Sequence, residues 1–405
     1  MRADLLAMAS ETFARDRAAA LLRLAAFAPR MGHHYAAGRN TDPGPGAPRD
    51  VSLLSPALRL RLVTEAEAVG TALHHHGAGA AEKFIQEVFW RSYWKGFLEL
   101  RPGLWAGYQQ ELAQTLAGLR GQGGLRGAIE RAEAGETGIA CFDAWMRELR
   151  ETGWLHNHAR MWFASIWIFS LRLPWILGAD LFLRHLLDGD AASNTLSWRW
   201  VAGMQTAGKH YVARAENIAR FTAGRFDPRG ELDENPLPLP APPLPPLRPL
   251  RAPDALPAGP VALLLHDDDL HAESLLPPGT RVAAIAGLAV PAARSPLGCS
   301  ALVEGHVREA LADGVARAGR HFQAPTAMLA PGALAGWIAS QGVPVVTPWA
   351  PVGWTAEALA GLPLLRLRRD WDSACWPLAT RGFFPFRAQI PALLAQLAPR
   401  PPLTA

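Results

Sequence analysis

Residues 233–260, DENPLPLPAPPLPPLRPLRAPDALPAGP, carry proline too often for either a helix or a central β-strand, because each proline fixes φ and removes a backbone donor. No single element can run through this stretch, so it divides the 405-residue chain in two. A chain of that length also exceeds what one hydrophobic core usually organises. The run favours extended polyproline II structure and reads as a semi-rigid spacer, with a proline-rich partner-docking motif as the alternative. The sequence therefore predicts a first domain over 1–232, a linker over 233–260 and a second domain over 261–405.

Upstream of the linker, AEKFIQEVFWRSYWKGFLEL and CFDAWMRELRETGWLHNHARMWFASIWIF repeat large apolar residues three and four apart, the helical period. The first domain is expected to be nearly all α. Downstream, PVALLLHDDDL, RVAAIAGLAV and GVPVVTPW are short apolar runs suited to buried strands, and VREALADGVARAGRHF is an amphipathic helix. The expected fold class is thus multidomain: an all-α domain followed by a Rossmann-like α/β domain. With 49% apolar and 19% charged residues, general disorder is excluded. The basic residues are nearly all arginine, the lysines being Lys83, Lys95 and Lys209. Arginine's planar fork suits phosphate, so a nucleic-acid partner is permitted, although a solvated basic surface explains the charge equally well.

Cys141, Cys299 and Cys375 are too few and too scattered for a disulfide framework, and no pair has metal-ligand spacing. A reducing, cytoplasmic setting and no metal are expected. MRADLLAMASETFARDRAAALLRLAAF mixes charge into its apolar positions and reads as an amphipathic helix, not a secretory signal. MWFASIWIFSLRLPWIL is broken by Arg172 and Pro174 before reaching membrane-spanning length, which predicts a buried helix and no membrane partner. His74 to His76 are read as a polar helix end, since consecutive helical side chains point in different directions.

Two segments carry chemistry together. In HNHAR (156–160), Asn157 and Met161 stand one helical turn apart with Arg160 beside them. In DGDAASN (188–194), Gly189 permits a turn that aims Asp188 and Asp190, and Asn194 shares a helical face with Trp198. Singly these are an ordinary ion-pair arginine, a solvated turn and core aromatics. In order, with TGWLHN (152–157) and SWRW (197–200), they resemble the FAD-binding region of the DNA photolyase and cryptochrome family. The resemblance covers about residues 35–226.

That resemblance implies noncovalent FAD, with Arg160 paired to Asp188, Asn157 near the isoalloxazine, Asp190 and Asn194 on the flavin, and Asn194 near its N5 edge. VSLLSP (51–56) is similar to the family's phosphate-proximal loop, placing Ser52, Leu54 and Ser55 there, with Val51 in place of the usual threonine. Tyr35 and Arg91 complete the implied cofactor contacts, and His33 and His34 precede Tyr35 on the phosphate side. In EVFWR (87–91), Glu87, Trp90 and Arg91 share one helical face. The family's dimer-contacting positions are matched by Glu87, Trp90, Asn157, Met161 and Trp200. The resemblance thus implies blue-light repair of cyclobutane pyrimidine dimers by electron transfer from reduced flavin, on damaged DNA, by a monomer. A photoreceptor of cryptochrome type without repair is the alternative, and a histidine-assisted repair of six-four photoproducts, through His156 or His158, a third.

Two positions depart from the family. His158 stands where a second basic residue is frequent, weakening a phosphate contact at neutral pH. Trp198 and Trp175 occupy the proximal and middle places of the electron relay, but the distal place holds Gln122, leaving Trp105 or Trp162 as substitutes. The second domain resembles the antenna domain that ordinarily precedes the flavin domain: PVALLLHDDDLHAE matches its first strand and RRDWDSACWPLATRGFFPFRAQIPALL its end. The resemblance implies that this domain has been transposed to the C-terminal side, with a second chromophore of unknown identity possible. In an open parallel sheet Asp267, Asp268 and Asp269 would either line a ligand site or form a solvated acidic turn.

Overall fold

Asp16 starts helix α1 (Arg17–Phe27) by accepting the Ala19 backbone N–H on its carboxylate at 2.7 Å. The computed structural model describes residues 13–402, so part of the amphipathic helix expected at the N-terminus lies outside the described residues. The chain continues through helices α2 (Glu65–Ala80), α3 (Glu82–Glu99), α4 (Gly103–Gly118), α5 (Ala140–Thr152), α6 (Asn157–Ser165), α7 (Trp175–His185) and α8 (Ala191–Val201). After the proline run come strands β1 (Val261–His266) and β2 (Val282–Leu288), helix α9 (Ala301–Phe322), and strands β3 (Thr326–Leu329), β4 (Val345–Pro348) and β5 (Leu364–Leu367). Short helices α10 (Asp370–Cys375) and α11 (Phe383–Arg387) follow.

The chain does not divide into the three consecutive segments expected from its sequence. Among the described residues, 13–36, 52–101 and 247–402 form one compact unit, and 37–51 with 102–246 form another. The sheet unit holds a five-stranded, wholly parallel sheet in the order β3-β2-β1-β4-β5. Every residue of β1 is buried, as a central strand covered on both faces requires. The α/β expectation for the second half therefore holds. What departs is the allegiance of α3. Its aromatic face, periodic in the sequence, finds its partner in residues 371–386. Phe89 stacks on Trp371 at 4.8 Å between ring centroids, Trp371 Nε1 donates to Ser92 Oγ at 2.7 Å, and Tyr93 Oη donates to Arg381 O at 2.8 Å. Gly96 makes this approach possible, since a Cβ there would lie 2.7 Å from Trp376 Cα.

In the helical unit, α5 buries Cys141, Phe142, Trp145, Met146 and Leu149 along one stripe and ends at Gly153, whose positive φ of 68° closes the helix. The apolar run after it is interrupted as expected. α6 passes into a π-helical turn at Ile166–Ser170, Arg172 turns the chain with φ 54°, and Pro174 precedes α7. No helix among the described residues is long and apolar enough to cross a membrane. His74 to His76 sit immediately before Gly77, whose dihedrals break α2, in keeping with a polar helix end.

Residues 233–260 contain neither helix nor strand. They are not a free spacer, however. On the helical unit, His210 bonds Pro236 O and Leu239 N donates to Ala202 O. On the sheet unit, Arg248 N donates to Leu100 O and Arg366 N to the Asp254 carboxylate.

Candidate functional site

In the helical unit, α6, α7 and α8 position the first group of expected residues. Arg160, half-buried on α6, holds Asp188 in a two-pronged ion pair, Nη1 to Oδ1 at 3.0 Å and Nη2 to Oδ2 at 2.9 Å, while its Nε donates to Leu155 O at 2.9 Å. Planar arginine and carboxylate fit one another in this way and fix both side chains. The expected pairing is present. Asp190 is the N-cap of α8 and accepts the Ser193 N–H at 2.8 Å. One turn on, buried Asn194 donates from Nδ2 to Ala179 O at 2.8 Å, which fixes the amide and leaves its oxygen as an acceptor. Trp198 lies a further turn along the same face, buried, with no hydrogen-bond partner for its indole N–H. Oriented amide and unsatisfied donor together suit a polar heterocycle, such as a flavin, bound along α8.

Asn157 is exposed, and Met161 and Trp200 are partly so. Trp200 stacks on Tyr211, ring centroids 5.7 Å apart. His158 does not behave as the weak phosphate contact its sequence position suggests. Its Nδ1 faces Asn40 O at 3.0 Å and must carry the proton, its Nε2 accepts from Tyr211 Oη at 3.2 Å, and its ring stacks on Trp162 at 4.0 Å. Burial lowers its pKa, so the imidazole is neutral. His156, buried, is lowered to about 4 for the same reason.

Of the relay residues, Trp175 donates its indole N–H to Glu111 Oε1 at 2.8 Å, and the Trp198 ring lies against Gly178 on α7. Gln122 caps a turn at the surface, bonded to Gly118 O. Trp105 stacks on Tyr108, which stands edge-on to Trp175 at 6.3 Å. Trp162 belongs to a different cluster, with Trp145 and His158.

In the sheet unit, Ser52 Oγ accepts the Leu54 N–H at 3.3 Å, Leu53 takes a left-handed φ of 56°, Leu54 is buried, and Ser55 opens a short helix. Tyr35 is buried edge-on against Phe84 at 5.4 Å and Phe27 at 6.2 Å. Glu87, Trp90 and Arg91 are half-buried on α3. One face of Trp90 is taken by Phe383 of α11, stacked at 3.5 Å and 13°, a partner that sequence spacing gave no means of finding.

The crevice at the carboxyl ends of β1 and β4 is filled by the chain itself. Asp267, Asp268 and Asp269 are all buried, so neither the open ligand site nor the solvated turn describes them. Arg59 reaches Asp267 at 3.3 Å and Asp268 at 2.9 Å. Arg61 binds Glu65, Asp269 and Asp372 at 3.1, 3.1 and 2.7 Å, and Arg369 binds Asp269 at 2.6 Å. Burial alone would raise the Asp269 carboxyl, yet Arg369 and Arg61 hold it well below the usual range. The signal available in the sequence was charge complementarity between LRLR (58–61) and DDD (267–269), too general to pair them without coordinates.

Residues 84–238 match the family model for the FAD-binding domain of DNA photolyase. Through this segment the chain is similar to the FAD-binding domain of the photolyase and cryptochrome family. A deoxyribodipyrimidine photo-lyase of Streptomyces griseus is 34% identical over 183 residues, covering 44% of this chain and 37% of the relative. That of Thermus thermophilus is 32% identical over 212 residues, 52% of this chain and 48% of its own length. Cryptochrome-1 of Arabidopsis thaliana is 38% identical over 104 residues, 26% of this chain and 15% of its own. A class III photolyase structure from Agrobacterium tumefaciens aligns at 26% identity with a TM-score of 0.42, covering 51% of this chain and 43% of that one. The chain spans less than half the length of these relatives.

Proposed function

We propose that the protein is a light-driven lyase that splits cyclobutane pyrimidine dimers in DNA. The observation that carries this reading is the presence of Glu87 and Trp90 three residues apart on α3, in a chain that also has the FAD-binding domain. When bound and reduced, FAD supplies an electron to the dimer under blue light and recovers it after the ring opens. Arg160, Asp188, Asp190 and Asn194 would hold the flavin, with Asn194, its amide fixed by Ala179 O, offering its oxygen as an acceptor. Ser52, Leu54, Ser55 and Tyr35 serve the phosphate side. Glu87 stabilises the reduced dimer by hydrogen bonding, and Asn157, Met161 and Trp200 contact the damaged bases. These side chains position the reactants and tune the charge around them.

The cover that Phe383 provides over Trp90 favours a second reading, a flavin photoreceptor without repair. Reduced protein incubated with ultraviolet-irradiated DNA under blue light distinguishes the two. Loss of dimers supports repair, and its absence with flavin bound supports the photoreceptor.

A further inference from the structure

We propose that Glu111 is the proton acceptor for an oxidised Trp175, so that a carboxylate ends the relay in place of a third tryptophan. This rests on the FAD reading. Trp175 is buried and has one polar atom, which donates to Glu111 Oε1 at 2.8 Å, while Glu111 itself is exposed on α4. The pair therefore connects a buried indole to solvent through one hydrogen bond. Trp198 lies against Gly178, three residues beyond Trp175 on α7, which puts both rings on the same side of that helix.

The surroundings end the path here. Tyr108 is the next ring, 6.3 Å away, but its hydroxyl is buried and has no hydrogen-bond partner. Burial drives its pKa far up, so it has nowhere to release a proton on losing an electron. Glu111 is the opposite case. Partial desolvation raises its carboxyl above the usual value despite the Trp175 bond, which makes it the more willing base. Arg199 is buried with Nε and Nη2 unbonded and interacts electrostatically with Glu111. Its charge favours the ionised carboxylate, which leaves Glu111 free to accept the Trp175 N–H.

The step balances. A bound, oxidised flavin would, when light-excited, be the oxidant, with Trp198 carrying one electron to it from the Trp175 indole. The Trp175 N–H bond breaks, and its proton forms an O–H bond on Glu111, leaving a neutral indolyl radical. An external thiolate would then return one electron, becoming a thiyl radical that pairs with a second to a disulfide, and the proton held on Glu111 would re-form the N–H.

Flash excitation of the flavin-loaded full chain, with radicals followed by transient absorption, tests the pair. The wild type is expected to give the deprotonated Trp175 radical, formed more slowly in D2O. Glu111→Gln is expected to retain the protonated radical cation, to lose the isotope effect and to recombine faster than the wild type. Glu111→Asp should restore the deprotonated radical in part. A deprotonated radical and an isotope effect in Glu111→Gln equal to those of the wild type overturn the role of Glu111. A flavin-loaded wild type that forms no Trp175 radical overturns the relay, whereas a chain that retains no flavin overturns the FAD reading beneath it.

Discussion

Arg160 is held at three points, by Leu155 O and by both oxygens of Asp188, so removing the charge opposite it leaves a half-buried guanidinium short of partners. Asp188→Asn is expected to cost about 1.5–3 kcal/mol, the range for hydrogen bonds to charged groups. The checks are a lowered unfolding midpoint and a lower flavin-to-protein ratio after gel filtration. Glu99 offers a pH test. It accepts the Val352 N–H at 2.7 Å, yet burial pushes its carboxyl up to about 7. A raised acid keeps its proton in the folded state after the unfolded chain has lost it, so stability falls as pH rises from about 4.5 towards 7. Glu99→Gln should flatten that fall and, by pH 8, leave the variant more stable by up to about 3 kcal/mol at 1.36 kcal/mol per unit, measured by urea unfolding across pH. Side chains differed in how far sequence revealed them. Arg160 and Asp188 stand in motifs and were legible as a pair. Glu111 stands in no motif, and only its distance to Trp175 gives it a role. His158 was visible as a departure, but its meaning depended on Asn40 and Tyr211, which no spacing rule ties to it.

Among the elements, α7 and α8 meet where Gly178 admits the Trp198 ring. A Cβ at 178 would stand 2.3 Å from Trp198 Cη2 and 2.9 Å from Trp167 Nε1. Gly178→Ala is therefore expected to cost about 1–3 kcal/mol as overpacking and to displace Trp198. Thermal melts read the first effect, and the rate of flavin photoreduction, lowered relative to wild type, reads the second. Helix periods placed α3, α5, α6 and the break before α7 correctly, because each buries one face. The period says which face is apolar and not what covers it. For α3 the cover comes from residues 371–386, far along the chain, and the sequence reading assigned the helix to the wrong body.

At the scale of the molecule, the sheet unit is assembled from three separated stretches, so a cut in the proline run does not free an independent first half. Limited proteolysis within 233–260 should leave two fragments that co-elute on gel filtration under native conditions and separate in urea. Arg61 is one of the residues that join the second and third of those stretches. It has a left-handed φ of 51° and three carboxylates around it. Arg61→Met should cost about 3–5 kcal/mol by leaving buried carboxylates unpaired. Arg61→Gly should cost less by about 1 kcal/mol, because glycine relieves the backbone strain, and urea unfolding of both variants measures the difference. Two of these carboxylates, Asp269 and Asp372, lie 208 and 311 residues away from Arg61 in sequence. A ribosome adding 5–20 residues per second takes roughly 15–60 s to make the longer of these spans. Residues 51–61 emerge early, and although Glu65 follows Arg61 at once, its set of carboxylates is complete only when Asp372 has left the exit tunnel. The sheet unit therefore closes late in synthesis, when its early and last stretches can meet.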